Sequence, residues 1–432
     1  MTISELYEIY LQHPTVTTDS RNCPPDSLFF ALKGDNFDGN NFAEKALESG
    51  CSYAIVDDEA VALKNSEKMI LVEDVLKTLQ DLARHHRETL EIPVIAITGT
   101  NGKTTTKELT AAVLSQQYKT LYTQGNLNNH IGVPLTLLRL TAEHEFAVIE
   151  MGANHRGEIK ELCEIARPDY GLITNVGLAH LEGFGSLEGV IQTKGELYDF
   201  IRENGLSVFI NQENKYLMQM AQGMDICPYG ETMKDFTFIA GKATDRASFL
   251  SFEWFHDFGT MYNVKTSLVG DYNLWNALAA ISIGMYFNVE SELINKALEE
   301  YKPANNRSQY LQTSDNELIV DTYNVNPDSM KAALENFAYM DFDRKAVILG
   351  DMLELGEKSA ELHEDILQKV REYNFDKVLL CGKIFTTIGK DFKVFETVEE
   401  LSEYLKNNPV KGSHILIKGS HSIQLEKIIT LL

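Results

Sequence analysis

A glycine-rich turn followed by a lysine and three threonines is the segment of this chain best suited to chemistry. It reads ITGTNGKTTTKEL, residues 97–109, and follows a short apolar run. Such a turn before a helix exposes successive backbone N–H groups that can surround phosphate oxygens. Gly99 and Gly102 permit close approach because they lack a Cβ. Lys103 would add a positive charge and Thr104 a hydroxyl ligand for Mg²⁺, so the segment predicts a nucleotide phosphate site.

The spacing of this loop differs from the usual Gly-x4-Gly-Lys-Ser/Thr pattern. The first glycine of that pattern would fall at position 97, which is Ile97, so the loop is a shortened variant. A regulatory GTPase would also carry an Asn-Lys-x-Asp segment, and neither Asn214-Lys215 nor Asn295-Lys296 is followed by that aspartate. The remaining alternative is a glycine-rich turn that binds nothing.

Three further side chains are candidates for metal chemistry. Glu150 ends the apolar run FAVIE and His180 follows the next run, and ligands of open α/β sheets bind beyond the carboxyl ends of strands. Glu150 would hold Mg²⁺ or cap a turn, and His180 would ligate a second metal or serve as a hydrogen-bonded structural residue. Lys194 falls on an expected helix, where its spacing alone is typical of a solvated face.

The elements that must position these residues alternate between strand and helix, which is typical of parallel α/β sheets. In the middle of the chain we expect strands at 93–99, 146–152, 170–177 and 206–211, helices at 156–166 and 187–204, and added antiparallel strands within 236–268. Nearer the end we expect strands at 317–323, 346–349, 377–381 and 414–418, and helices from Pro327, at 359–373 and at 398–406.

These patterns predict an α/β protein of three domains. Residues 1–88 would form a small α+β domain ending in a helix at 74–90. Residues 89–303 would form a central P-loop ATPase-like domain with a mostly parallel sheet. Residues 304–432 would form a Rossmann-like α/β domain.

The composition limits the classes of partner. The chain has 432 residues, 44% of them hydrophobic, which excludes wholesale disorder. Its 39 Lys and Arg against 63 Asp and Glu give a net charge of −24, which argues against nucleic-acid and anionic-membrane partners. The five cysteines are scattered, and no signal peptide or run of about 20 apolar residues occurs. We therefore expect a cytoplasmic protein without membrane insertion.

The motifs as a set resemble the Mur ligases, the ATP-dependent ligases that build the peptide stem of bacterial peptidoglycan. The resemblance spans all three expected domains and most of the chain. It is carried by residues 17–42, 99–105, 125–138, 150–159, 175–186, 193–198, 270–280, 321–330 and 349–363.

The resemblance implies an amide-forming reaction. D-alanyl-D-alanine would be added to UDP-N-acetylmuramoyl-tripeptide through an acyl phosphate, with ATP and two Mg²⁺ as cofactors and with Lys194 carbamylated. Domain 1–88 would bind the UDP-sugar, 89–303 ATP, and 304–432 the amino substrate. The protein would be a monomer.

The resemblance also assigns roles to individual residues. The catalytic set would be Lys103, Glu150, His180 and Lys194, with one Mg²⁺ on Thr104 and Glu150 and the other on His180 and Lys194. ATP would be bound by Gly99, Thr100, Asn101, Gly102, Lys103, Thr104, Thr105, Asn273, Asn276, Arg307 and Asp321. The substrates would be bound by Ser20, Arg21, Lys33, Asn126, Asn128, Asn129, Tyr323, Asn324, Asn326 and Asp351.

The chain departs from the common family pattern at a few positions, namely Tyr272, Asn306, Val325 and His421. None of these lies in the phosphate loop or in the expected metal set. Two alternatives remain open. One is another Mur-type or folylpolyglutamate-type ligase that shares the ATPase core, and the other is a non-catalytic nucleotide-binding scaffold.

Overall fold

The computed structural model describes most of the chain as three domains, each built around its own sheet. The described residues are 1–179, 181–234, 236–245, 249–256, 259–304 and 306–432. His180, one of the expected metal ligands, lies outside them. In the described part of the chain, no helix is long and apolar enough to cross a membrane.

The first domain alternates short strands with helices. Its elements are α1 (Ile3–Gln12), β1 (Val16–Thr17), β2 (Leu28–Phe30), β3 (Lys33–Gly34), β4 (Phe37–Asp38), α2 (Ala43–Glu48), β5 (Tyr53–Val56), α3 (Glu59–Ala62), β6 (Met69–Leu71) and α4 (Val75–Leu90). The main sheet has the order β1-β2-β5-β6 and is parallel, and β3 and β4 form a separate antiparallel pair. The expected helix at 74–90 is confirmed, with Asp74 as its N-cap.

The central domain contains the largest sheet. Its elements are β7 (Val94–Thr98), α5 (Lys103–Leu114), β8 (Thr120–Tyr122), α6 (Gly132–Leu137), β9 (Phe146–Glu150), α7 (Glu158–Ala166), β10 (Tyr170–Ile173), α8 (Leu181–Phe184), α9 (Leu187–Asn204), β11 (Ser207–Asn211), α10 (Lys215–Met220), β12 (Ile226–Gly230), β13 (Ile239–Asp245), β14 (Phe249–Phe255), β15 (Tyr262–Val269), α11 (Leu274–Tyr286) and α12 (Ser291–Glu300).

The central sheet has the order β15-β14-β13-β12-β11-β10-β7-β9-β8. It is parallel from β8 to β13, and β14 and β15 extend it in antiparallel pairing, which confirms the added strands expected from the sequence. Alternate residues of β7 belong to different hydrophobic clusters: Val94 packs with α7 and α9, whereas Ile95 packs with α5 and α11. The sheet is therefore buried on both faces, as parallel sheets usually are.

The register of the central strands assembles the expected site. β7 lies between β9 and β10, so three strands end side by side at one edge. Ile97 pairs with Glu150, and Thr98 pairs with Ile173. The phosphate loop therefore starts beside Glu150 and beside the segment that follows β10, as expected for the carboxyl edge of a parallel sheet.

The third domain is a second, mostly parallel sheet covered by helices. Its elements are β16 (Gln309–Gln312), β17 (Glu317–Asp321), α13 (Pro327–Tyr339), β18 (Lys345–Gly350), α14 (Ser359–Tyr373), β19 (Lys377–Cys381), α15 (Lys383–Ile388), β20 (Lys393–Phe395), α16 (Val398–Asn407) and β21 (His414–Lys418). The strand order is β16-β17-β21-β18-β19-β20, and only the β16–β17 pair is antiparallel. The expected strands at 377–381 and 414–418 and the helix at 359–373 are confirmed at those bounds.

Candidate active site

The phosphate loop connects β7 to α5 through two glycines in conformations that other residues rarely adopt. Gly99 has φ +140° and Gly102 has φ +80°. A Cβ on Gly99 would lie 2.0 Å from Thr174 Oγ1, and one on Gly102 would lie 2.5 Å from Asn276 Oδ1. Because neither position tolerates a side chain, the loop keeps its backbone close to its neighbours and open to a ligand.

The ammonium group of Lys103 lies against the backbone of this loop. It donates to the carbonyl oxygen of Gly99 at 2.7 Å and to that of Thr100 at 3.0 Å. Burial, opposed by the carboxylate of Glu150 and reinforced by the positive charge of Arg307, lowers the pKa of Lys103 to about 8. The two cations therefore lie close enough to repel each other, which favours an anion between them.

Two buried oxygens beside the loop lack hydrogen-bond partners in the described structure. They are Thr104 Oγ1 and Glu150 Oε2. The other carboxylate oxygen of Glu150 accepts a hydrogen bond from Asn128 Nδ2 at 2.8 Å. A buried oxygen without a partner destabilises the fold unless a ligand binds it. Hydroxyl and carboxylate oxygens are ligands that Mg²⁺ prefers. These residues therefore fit a magnesium ion.

Lys194 is buried on α9, so the interpretation as a solvated helix face is wrong. The residue is 2% exposed, and its ammonium lies 5.2 Å from the centroid of the Phe184 ring. Burial, together with the positive charge of Lys103, lowers the pKa of Lys194 to about 7. A neutral amine is the form that reacts with CO₂, so the environment suits carbamylation. Among the described residues no group of three His, Cys, Asp or Glu side chains forms a metal cluster.

Asn273, the residue before α11, and Asn276 on α11 form a hydrogen-bonded chain that reaches the first turn of α5. Asn276 Oδ1 accepts from Thr106 Oγ1 at 3.0 Å, and Asn276 Nδ2 donates to Asn273 Oδ1 at 2.8 Å. Asn273 Nδ2 in turn donates to the carbonyl oxygen of Val269. Both side chains also line the cavity between the central and third domains, so they are placed to contact a nucleotide while they brace α5.

One cavity of about 740 Å³ lies between the central and third domains. It contains most of the residues expected to bind ATP and substrate. These are Thr100, Asn101, Gly102, Lys103, Thr104, Thr105, Asn126, Asn128, Asn129, Glu150, Asn273, Asn276, Arg307, Asp321, Tyr323, Asn324 and Asn326. Lys418 joins them and forms an ion pair with Asp321, its neighbour on the adjacent strand.

The third domain contacts the phosphate loop directly. Asn326 caps α13 and donates from Nδ2 to Asn101 Oδ1 at 2.7 Å. On the same helix, Asp328 Oδ2 accepts from the backbone N–H of Leu178 at 2.8 Å. A Cβ on Gly177 would lie 2.5 Å from that oxygen, so the glycine permits the approach. The third domain is therefore docked on the loop that would hold the phosphates.

Four expected substrate residues lie away from the cavity lining. Ser20 and Arg21 follow β1, and the 84% exposed Arg21 side chain pairs with Asp19 at 2.8 Å. Lys33 Nζ lies 2.8 Å from Asp57 Oδ1. Asp351 is buried, and its carboxylate accepts from the backbone N–H groups of Ile384 and Phe385 at the start of α15. The Asp351 carboxylate therefore has a helix-capping contact in this structure.

Three residues that sequence reasoning did not single out also shape the site. Asn175 Oδ1 accepts from the backbone N–H of Asn101 at 3.0 Å, and Thr174 Oγ1 donates to its carbonyl oxygen at 2.6 Å. Both follow β10 at the carboxyl edge of the sheet, a position that could have identified them. The third residue, Asp328, could not be identified from its sequence neighbours, because the backbone N–H that it binds belongs to Leu178, 150 residues away.

Comparison with known proteins agrees with this architecture along the chain. The Mur ligase middle domain matches residues 97–284, the Mur ligase glutamate ligase domain matches 306–421, and the catalytic domain of the Mur ligase family matches 14–87. The UDP-N-acetylmuramoyl-tripeptide--D-alanyl-D-alanine ligase of Bacillus subtilis (strain 168) is 35% identical, over 96% of this chain and 92% of that protein. The chain belongs to the Mur ligase family.

Solved structures of similar proteins share the three-domain arrangement of this Mur ligase. A crystal structure of MurF from Acinetobacter baumannii is 31% identical, with a TM-score of 0.88 over 99% of this chain and 98% of that one. The MurF ligase from Thermotoga maritima in complex with ADP is 27% identical, with a TM-score of 0.84 over 98% and 97% of the two chains. The expected fold is thus confirmed over the full length.

Proposed function

We propose that this Mur ligase joins D-alanyl-D-alanine to UDP-N-acetylmuramoyl-tripeptide at the expense of ATP, in peptidoglycan precursor synthesis. The observation that carries the proposal is 35% identity over 96% of the chain to a ligase named for that reaction. The phosphate loop, Glu150 and the buried Lys194 are all present in this chain. An intact set of this kind argues against a non-catalytic scaffold.

The reaction begins when the terminal carboxylate of the tripeptide attacks the γ-phosphorus of ATP. An acyl phosphate forms and ADP leaves. The free amine of the dipeptide then attacks the acyl carbon, which forms the amide and releases phosphate. Three anionic groups must approach one another, so positioning and charge stabilisation supply most of the catalysis.

The chain's own cations and N–H donors would provide that stabilisation. The N–H groups of the phosphate loop and the N-terminus of α5 would surround the β- and γ-phosphates. Lys103 would exchange its hydrogen bonds to the carbonyl oxygens of Gly99 and Thr100 for contacts with the phosphoryl group during its transfer. Arg307 and Lys418, both from the third domain, also line the cavity.

Two Mg²⁺ ions belong to this proposal. Thr104 and Glu150 would hold one, and the carbamylated Lys194 with His180 would hold the other. When bound, Mg²⁺ would offset phosphate charge and polarise the transferred group. Asn128 donates to one oxygen of Glu150, and the other oxygen, which has no hydrogen-bond partner in the described structure, would hold the ion.

The domains divide the substrates among them in this proposal. Residues 1–88 would bind the UDP end through Ser20, Arg21 and Lys33, residues 89–303 would bind ATP, and residues 304–432 would bind the dipeptide. The docked third domain would shield the acyl phosphate from water, which would otherwise hydrolyse it. We place the enzyme in the cytoplasm as a monomer whose partners are these small molecules.

The proposal predicts a specific response to a substrate panel. ATP-dependent phosphate release would be measured with D-Ala-D-Ala, D-Glu, L-Ala and a diamino acid, each with its matching UDP-muramoyl acceptor, and with a folate plus glutamate. Release is expected with D-Ala-D-Ala and UDP-N-acetylmuramoyl-tripeptide. Release with folate and glutamate but not with the muramoyl-tripeptide would instead support the folylpolyglutamate-type ligase. The same panel run with lysine and with diaminopimelate at the third peptide position would define that preference.

A further inference from the structure

Arg307 is held in the cavity by an aromatic ring. Its guanidinium carbon lies 3.7 Å from the centroid of the Tyr323 ring, and both residues line the cavity. In the described part of the chain its guanidinium forms no hydrogen bond or ion pair. The nearby carboxylate of Asp321 is engaged by Lys418 instead. The N–H donors of Arg307 therefore remain available.

The backbone fixes Arg307 and Tyr323 relative to each other. Asn306 and Ser308, on either side of Arg307, have φ +56° and +46°, a left-handed conformation that is unfavourable for residues other than glycine. The turn is retained because the N–H of Thr322 donates to the carbonyl oxygen of Asn306 at 3.0 Å. Strain of this kind persists only where surrounding contacts enforce it, and it concentrates at functional sites.

The contacts of Tyr323 suit support of a neighbouring cation better than binding of a peptide. The ring face lies against the guanidinium, and the ring of His421 stacks with it at 5.9 Å between centroids. The phenolic oxygen forms no hydrogen bond in the described structure. An aromatic face attracts a planar cation without using its N–H donors, whereas a carboxylate would occupy them and cancel the charge.

We propose that Tyr323 is a positioning residue that orients the Arg307 guanidinium toward the γ-phosphate of ATP, rather than a ligand of the peptide substrate. The inference rests on the proposed function in one respect, since it requires ATP in the cavity. It does not depend on which amino substrate is used. The ring restricts the guanidinium before the nucleotide binds, so less entropy is lost on phosphate binding.

The test compares Tyr323→Phe, which keeps the ring, with Tyr323→Leu, which removes it. Binding of a non-hydrolysable ATP analogue and of ADP, each with Mg²⁺, would be measured by calorimetry. We expect Tyr323→Phe to bind both as wild type does. Tyr323→Leu should weaken binding of the analogue about 5- to 30-fold while ADP binding stays the same, because the ring's effect is on the γ-phosphate. Unchanged ADP binding also reports that the variant is folded.

A double-mutant cycle shows whether the effect passes through Arg307. On an Arg307→Ala background, Tyr323→Leu should cause no further loss of analogue affinity. An equal loss on both backgrounds, or an equal loss in the Phe and Leu variants, would overturn the inference. If instead Tyr323 binds the peptide, the KM for UDP-N-acetylmuramoyl-tripeptide would rise while analogue binding would not change. Failure of the wild-type enzyme in the substrate panel would count against the proposed function alone, since the binding cycle uses no amino substrate.

Discussion

Replacing Lys103 with alanine should lower phosphate release by about 10²–10³-fold in kcat, the loss typical for one preorganised group that stabilises transition-state charge. The ammonium is the cation nearest the loop, and it is tied to the carbonyl oxygens of Gly99 and Thr100. Its pKa of about 8 leaves it largely protonated at neutral pH, and phosphate binding would favour that form further. The measurement is steady-state release of phosphate from ATP with both substrates saturating.

Lys119→Ala is the matched control for this prediction. Lys119 is half exposed and forms a surface ion pair with Glu143, away from the cavity lining. We expect its loss to leave kcat unchanged, since exposed pairs contribute little. Thermal unfolding of Lys103→Ala should show a folded protein. A folded Lys103→Ala variant with full activity would remove the phosphate loop from the mechanism.

Replacing Lys194 with alanine should reduce activity at least about 10- to 100-fold and raise the Mg²⁺ concentration needed for half-maximal rate. A free ammonium would repel Mg²⁺, whereas a carbamate would supply a carboxylate-like oxygen. Bicarbonate or short carboxylic acids such as acetate should restore part of the activity of the alanine variant, because they can occupy the vacated space as anionic ligands. The measurement is phosphate release across a titration of Mg²⁺ and of acetate.

The pH dependence of the wild-type enzyme follows from the same residue. Carbamate forms from the neutral amine, and burial lowers the pKa of Lys194 to about 7. The fraction of Lys194 in the neutral form therefore increases as the pH rises through 7 and decreases below it. Acid-treated enzyme should therefore recover activity with bicarbonate only after the pH is raised again.

The control for Lys194 is Lys160→Ala on the neighbouring helix α7. Lys160 is 69% exposed and lies 4.0 Å from Glu164, so its loss should change neither the rate nor the Mg²⁺ response. If Lys194→Ala keeps wild-type activity, or if carboxylic acids restore nothing, the carbamate has no part in the reaction.

The local parts of the site could be predicted from sequence because their determinants are adjacent along the chain. The strand, glycine turn and helix around Lys103 follow from residue order alone, and the bounds of α9 and α14 follow from amphipathic periodicity. Glu150 could be placed because strand ends share one edge of a parallel sheet. The hydrogen bond between Glu150 and Asn128 could not be predicted, because the sequence does not show which amide side chain lies near which carboxylate.

Contacts between distant segments were beyond sequence reasoning. The bond between Asn326 and Asn101 joins residues 225 positions apart, and it depends on how the third domain docks. The spacing of Lys194 suggested an exposed helix face, yet tertiary packing against Phe184 buries it. Asp351 lies in a segment that resembles a family motif, and the contact of its carboxylate with the start of α15 could not be predicted from that motif.

The central claim is that the cavity activates the tripeptide carboxylate by phosphorylation. The most direct test uses UDP-N-acetylmuramoyl-tripeptide labelled with ¹⁸O in its terminal carboxylate, with unlabelled ATP and D-alanyl-D-alanine. The account predicts that mass spectrometry finds one ¹⁸O in each released phosphate and the other in the new amide carbonyl. Unlabelled phosphate released together with the ligated product would contradict the acyl phosphate.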